Sequence, residues 1–258
     1  EFPLPDCRRN NVRAILNYTS IRGPARGKTR FATPSRPPEP AVATSSIERA
    51  DTTQRARAQP GVHWEYLLPI LTVHLLACLA ILPWCFSWSG VGLALAGTVV
   101  FGTMGINLCY HRLLAHRSLK VPRGLERALA TVALCSLEDT PARWVANHRL
   151  HHAHSDEPLD PHSPRDGVGW SHAGWLFRRA PDRRTYAYFD KYARDILADD
   201  YFRWLERHPM AILWIYMFHA FGFAAAGLLV GRLARGDWQH GLQLAASWVV
   251  WGVYVRTV

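Results

Sequence analysis

Two short histidine clusters carry the chemistry of this chain. The first reads His111-Arg-Leu-Leu-Ala-His116, the second His148-Arg-Leu-His151-His152, with His154 and His162 close behind. Neutral imidazole is the commonest metal ligand in proteins. Donor sets rich in nitrogen and poor in carboxylate suit iron, zinc or copper rather than magnesium or calcium. The H-E-x-x-H pattern of zinc hydrolases is absent. Five imidazoles exceed the three or so protein ligands of a catalytic zinc site. They point to more than one metal, and two redox-active metals point to oxygen chemistry.

His148, His151 and His152 stand at i, i+3 and i+4, so on a helix all three face one side. His111 and His116 are five residues apart, which an ideal helix separates by about 140°. Either the helix unwinds there, or the two imidazoles serve different metals. Asp156, Glu157 and Asp160 follow the second cluster. They supply carboxylates for the outer N–H that a metal-bound histidine donates. Asn107, one turn before His111, is placed to orient a ligand. His154, His162 and His172 read as supports around the site rather than ligands. His74 and His219 lie in apolar runs, as single neutral histidines bonding a neighbouring helix. His63, His208 and His240 sit at the ends of such runs, as interfacial residues.

The elements that position these clusters are apolar. Trp64–Phe86 has no charge after Glu65, and Val91–Tyr110 has none at all. Each is long enough to cross a bilayer. Ser87–Gly90 turns between them, and Trp64, Trp84 and Trp88 mark the ends as interfacial anchors. Leu125–Leu137 is too short to span and reads as a helix in the interface or packed on the spans. His208–Val230 and Gln239–Val258 form a third and a fourth run, joined by a turn at Gly231–Gln239. The expected fold is all-α and integral to the membrane: four transmembrane helices in two hairpins, with a cytosolic helical cap carrying the histidines. The clusters lie outside the spans. That argues against a metal transporter, whose ligands sit near mid-membrane.

Charge sets the orientation. The chain of 258 residues carries a net charge of +10. Residues 1–60 hold ten Arg and one Lys against five acidic residues. That segment, rich in Pro, Arg and Ser, reads as a disordered tail. Its charge fits attraction to anionic headgroups. A transit peptide is a further reading, which the five acids weaken. No aromatic residues interleave with its arginines, so nucleic acid is not the expected partner. Most remaining Lys and Arg fall in 111–207, placing the clusters on the cytoplasmic side. The five cysteines are odd in number and form no C-x-x-C pair, which excludes a disulfide framework and a cysteine metal site.

The stretches GINLCYHRLLAHRS, WVANHRLHHAHSDEPLDPHSPRDG and WSHAGWLF resemble the membrane-bound fatty acid desaturases of the stearoyl-CoA desaturase type, including the cyanobacterial acyl-lipid enzymes. The likeness runs from about residue 64 onward and defines a domain at 61–258. It implies a di-iron centre, two Fe ions held by His111, His116, His148, His151 and His152. With O2 and two electrons this centre would introduce a cis double bond into a saturated acyl chain. It also implies an electron donor of the ferredoxin or cytochrome b5 type, for which Arg178, Arg179, Arg183 and Arg184 form a basic face. The family's tunnel is capped near Val99 and Thr103. The Asn-x-x-x-His that the family carries near the end of its fourth span, and its H-N-x-H-H box, are not present, so the chain is expected to be incomplete at its C-terminus, with an inactive site as it stands.

One departure concerns the carrier. Where acyl-CoA desaturases have Arg-Asp before the second box, this chain has Ala146-Asn147. The change favours an acyl-lipid over an acyl-CoA substrate, while Arg179 retains a carrier-contacting base. The alternatives are a hydroxylase or related oxidase on the same scaffold, and a catalytically dead fragment.

Overall fold

The computed structural model describes residues 61–258. The basic tail at 1–60 lies outside them. Among the described residues there is no strand, only an isolated bridge between Val62 and Arg178. Helix α1 (Trp64–Ala77) continues through tight turns at Cys78–Ile81 and Pro83–Cys85. Helix α2 (Trp88–Gly97) runs without a break into wide π-turns at Thr98–Ala115. Shorter helices follow in the segment expected to form the cap: α3 (Arg123–Leu134), α4 (Pro141–Ala153), α5 (Val168–His172), α6 (Tyr186–Tyr192), α7 (Arg194–Leu197) and α8 (Asp200–Arg207). Two long helices close the chain, α9 (Met210–Arg235) and α10 (Trp238–Val249), the latter extended by π-turns at Val250–Val255.

Three helices are long and apolar enough to cross a membrane: Trp64–Ile81, Trp88–Ala115 and Met210–Arg235. Their large side chains point outward, with Phe218, Phe221 and Leu233 all 70% exposed or more. An apolar surface of that kind belongs against lipid. The fourth run, α10, starts with Gln239, His240 and Gln243 and does not reach the same apolarity. It lies along α9 and repairs the broken end of α1. Gln243 Nε2 donates to Trp84 O (3.1 Å) and Phe86 O (2.9 Å), and Trp251 Nε1 donates to Cys85 O (3.0 Å). Backbone carbonyls freed by non-helical turns at membrane depth need such partners.

Two boundaries differ from expectation, and the 125–137 segment takes one of the two placements expected of it. The second span does not end at Tyr110; the helix carries on through Ala115, so the first histidine pair rides on the span helix itself. The turn at 231–239 shrinks to Gly236 and Asp237. Gly236 takes a left-handed conformation (φ 74°) and ends α9, and the Asp237 carboxylate accepts from His240 N to start α10. The 125–137 segment packs on the span: a Cβ at Gly105 would lie 2.8 Å from Ala133 Cα.

The α9–α10 contact is made by small residues. A Cβ at Gly231 would lie 2.7 Å from Gly241 Cα, and one at Gly227 2.8 Å from Ala245 Cα. Close approach through Gly-x-x-x-Gly is how membrane helices gain packing. Gly231→Val should therefore destabilise the folded protein in detergent by about 1–3 kcal/mol. Gly222→Ala, with nothing within 4 Å of its Cβ, should leave the melting temperature unchanged. Equal melting of the two variants would refute the packing assignment.

Candidate metal centre

The cap core holds the two histidine-bearing helices in place. Leu113 and Leu114, between His111 and His116, are buried with Ala130, Ala133 and Leu134 of α3. On α4, Ala142, Val145 and Ala146 face the same core. With those faces committed to packing, the remaining faces meet across a gap. His111, His116, His148 and His152 come together there, with one ring nitrogen of each within 4.8 Å of the others. His116 Nε2 lies 3.1 Å from His148 Nε2.

The wide turn resolves the five-residue spacing. His116 N donates to His111 O (3.0 Å), an i→i+5 bond. Such a bond closes a π-turn, in which residues five apart stack on one side. The two rings are accordingly 4.6 Å apart between centroids. The helix is unwound locally, and both imidazoles reach the same side.

His151 does not join that group. It sits on the other flank of α4, because i+3 and i+4 lie about 100° apart around a helix. Its Nδ1 is 2.9 Å from Asp160 Oδ1, and its ring stacks on His162 (4.4 Å, 28°). His151, Asp160 and His162 form a second group of donors within 4.8 Å. Asp160 is fully buried and also accepts from Asp156 N (3.0 Å) and His162 N (3.1 Å). Burial alone would raise its carboxyl, but the His151 contact and the two backbone N–H groups outweigh it and hold it below the usual range. The carboxylate only accepts, so it keeps the His151 proton on Nδ1 and leaves Nε2 free.

The donor set fits a transition metal. Burial, and then the neighbouring His152, His111, His116 and His151 rings, pull His148 down to about 3. Burial, and then His116 and His151, lower His152 in the same direction. His148 is thus held neutral, the form that ligates.

A cavity of about 430 Å³ opens beside His148. Ile70, Val73 and His74 of α1, Leu137, and Thr257 beyond α10 line it. Trp144 forms another wall, stacked on His148 (4.8 Å, 21°), with its Nε1 donating to Glu138 Oε2 (2.6 Å). Sequence reasoning missed Trp144 and the lining His74. The spacing W-x-x-x-H, one helical turn, was the available signal. Tyr66 also lines the cavity and donates to Asp139, whose neighbour Thr140 and α4 residue Arg143 both bond Glu206 of α8. This chain of bonds ties α1, α4 and α8 together under the site.

The other expected residues divide. Asn147, His162 and His172 line the cavity. Asn147 Oδ1 accepts from Tyr188 OH (2.8 Å). His154 pairs with Glu157 (2.9 Å), and the carboxylate of Asp156 accepts from Ser163 OH (3.4 Å), so neither faces the four-imidazole group. Asn107, Val99 and Thr103 are exposed on the π-helical span and are not among the cavity's lining residues. Arg179 runs beside Gly61, its N–H donating to Gly61 O (3.2 Å). The basic residues that do adjoin the cavity are Arg143, Arg178, Arg183 and Arg184. They line a recess of about 50 Å³ with His63, and this recess shares Tyr66, Asp139 and Asn147 with the larger cavity.

The model of the fatty acid desaturase family matches residues 86–258. An sn-2 palmitoyl-lipid 9-desaturase from Nostoc sp. (strain 36) is 38% identical over 178 residues, covering 66% of this chain and 61% of that protein. An sn-1 stearoyl-lipid 9-desaturase from Anabaena variabilis is 36% identical over 200 residues, with coverage of 78% and 65%. An acyl-CoA 5-desaturase from Anemone leveillei is 38% identical over 176 residues, with coverage of 68% and 48%. The chain thus spans less than two thirds of the length of each of these relatives. It belongs to the fatty acid desaturase family.

Proposed function

We propose that this member of the family carries histidine ligands of an O2-dependent oxidoreductase that introduces a cis double bond into a saturated acyl chain. The observation that carries the reading is the convergence of four imidazoles from two chain segments beside a cavity with apolar walls. His111, His116, His148 and His152 would hold one iron ion, and His151 would begin the ligand set of a second. When bound, two iron ions would supply the O2-dependent oxidation of the acyl C–H bonds. The chain's own residues bind, orient and exclude water. Ile70, Val73 and Leu137 shield the acyl chain from solvent. Trp144 holds the His148 ring flat against the wall, and Asp160 fixes the proton of His151.

The head of the substrate would sit at Asn147, where the cavity meets the basic recess. A neutral Ala146-Asn147 pair in place of Arg-Asp supports a lipid-bound acyl chain over acyl-CoA, and relatives named as acyl-lipid desaturases support the same choice. α10 would complete a fourth crossing beside the three apolar helices, giving a multi-pass protein. The basic cap would lie on the cytoplasmic side. There the arginines 178, 179, 183 and 184 would receive an acidic electron donor of the ferredoxin or cytochrome b5 type.

The test is expression of the full-length protein in a host without its own acyl desaturase, followed by gas chromatography of the fatty acid esters. A new monounsaturated ester is expected. A hydroxylated ester would move the reading to a hydroxylase on this scaffold, and no new product would sink it.

A further inference from the structure

We propose that Arg149 is a positioning residue that locks the two histidine-bearing helices in register, so that His116 meets His148. The inference rests on the reading that these imidazoles hold a metal.

Every N–H of the Arg149 guanidinium faces a partner. Nε donates to Ala115 O (2.9 Å), and Nη2 to Leu114 O (2.9 Å). Nη1 donates to Tyr192 O (2.9 Å). Both Nη atoms also donate to Asp195, at 2.7 Å and 3.0 Å. Leu114 and Ala115 are the last carbonyls before His116. A helix end leaves such carbonyls without internal partners, and a glycine cap often takes them up. Here the residue after His116 is Arg117, held at φ 53°. The fork of Arg149 reaches across from α4 and takes the carbonyls instead. Asp195 anchors that fork and also accepts from Arg117 Nε (3.0 Å). One side chain, a single residue from His148, thus joins the end of the first histidine helix to α4 and to the cap beyond.

Lysine cannot reproduce this. It presents a single ammonium point, where arginine presents a rigid planar fork with five donors. A second pair serves as control: Arg127 binds Asp199 through two nitrogens (3.2 Å and 3.0 Å), tying α3 to the start of α8. It bonds neither histidine-bearing helix.

The experiment uses full-length protein in detergent, titrated with Co2+ and followed by visible absorption, with melting temperature measured alongside. Arg149→Lys should weaken cobalt binding about 10- to 100-fold, as loss of outer support does at other metal sites. It should also change the cobalt absorption spectrum. Arg127→Lys should lower the melting temperature to a similar degree while leaving affinity and spectrum as in wild type. Asp195→Asn keeps the arginine and loosens its anchor; it should shift both cobalt readouts in the same direction, and it serves if Arg149→Lys cannot be isolated folded. Wild-type affinity and spectrum in Arg149→Lys or Asp195→Asn, or equal changes in Arg127→Lys, would overturn the positioning role. Wild-type protein that takes up no cobalt would sink the metal reading, and the clamp with it.

Discussion

On the proposed function, His148→Ala is expected to reduce formation of the double bond to below about 1% of wild type and to leave the four-imidazole group unable to hold a metal. The expectation follows from the centrality of this ring. Its centroid is 4.7 Å from His111, 5.1 Å from His116 and 4.5 Å from His152, and Trp144 lies flat on it. Losing an outer partner of a metal ligand already costs about 10- to 100-fold; losing a ligand at the centre of the set costs more. The fold should survive, because His148 faces the cavity while Val145 and Ala146 make the core contacts of α4. A half-buried imidazole held neutral among other imidazoles does not stabilise the metal-free chain. Its depressed value means that acid favours the unfolded state, whose histidine takes up a proton near pH 6.5. Metal analysis and gas chromatography of the variant, with its melting temperature as control, check the prediction. Retained product with retained iron would remove His148 from the site.

Asp160→Asn carries the second large effect, through protons rather than ligation. The carboxylate accepts three bonds: from His151 Nδ1 and His162 N on one oxygen, and from Asp156 N on the other. An asparagine has one accepting oxygen. Whichever way its amide turns, the NH2 confronts an N–H, either that of Asp156 or those of His151 and His162. A buried donor left without an acceptor costs about 1–3 kcal/mol. If the NH2 faces His151, the imidazole must move its proton to Nε2 and loses the lone pair it would offer a metal. We expect activity to fall about 10- to 100-fold, with the melting temperature lowered as well. Wild-type turnover in Asp160→Asn would show that the His151 tautomer does not matter.

What the sequence conveyed, and what it withheld, separates along physical lines. Apolar runs and the i, i+3, i+4 spacing are local, and both survive in the structure as long helices and as α4. The π-turns do not announce themselves, because no residue type is reserved for them. They decide that His111 and His116 reach the same side. They also rotate the span relative to a regular α-helix over Thr98–Ala115, so the outward placement of Val99 and Thr103 was not legible from a 3.6-residue period. The parting of His151 from His148 and His152 depends on Asp160, nine residues away, held by backbone N–H groups in an irregular loop. Trp144 was legible in spacing but not in role. Arg149 depends on Asp195, 46 positions further along the chain, and only the fold brings them together.

Imidazoles on α4 and on the end of the second long helix are proposed to grip metal together. X-ray absorption at the iron edge of pure, full-length protein, with iron quantified per chain, tests this directly. Bound iron is expected, its nearest neighbours dominated by imidazole nitrogen, and it should be lost in His148→Ala. Pure, folded protein without iron, or with a shell of sulfur or of oxygen alone, would contradict it.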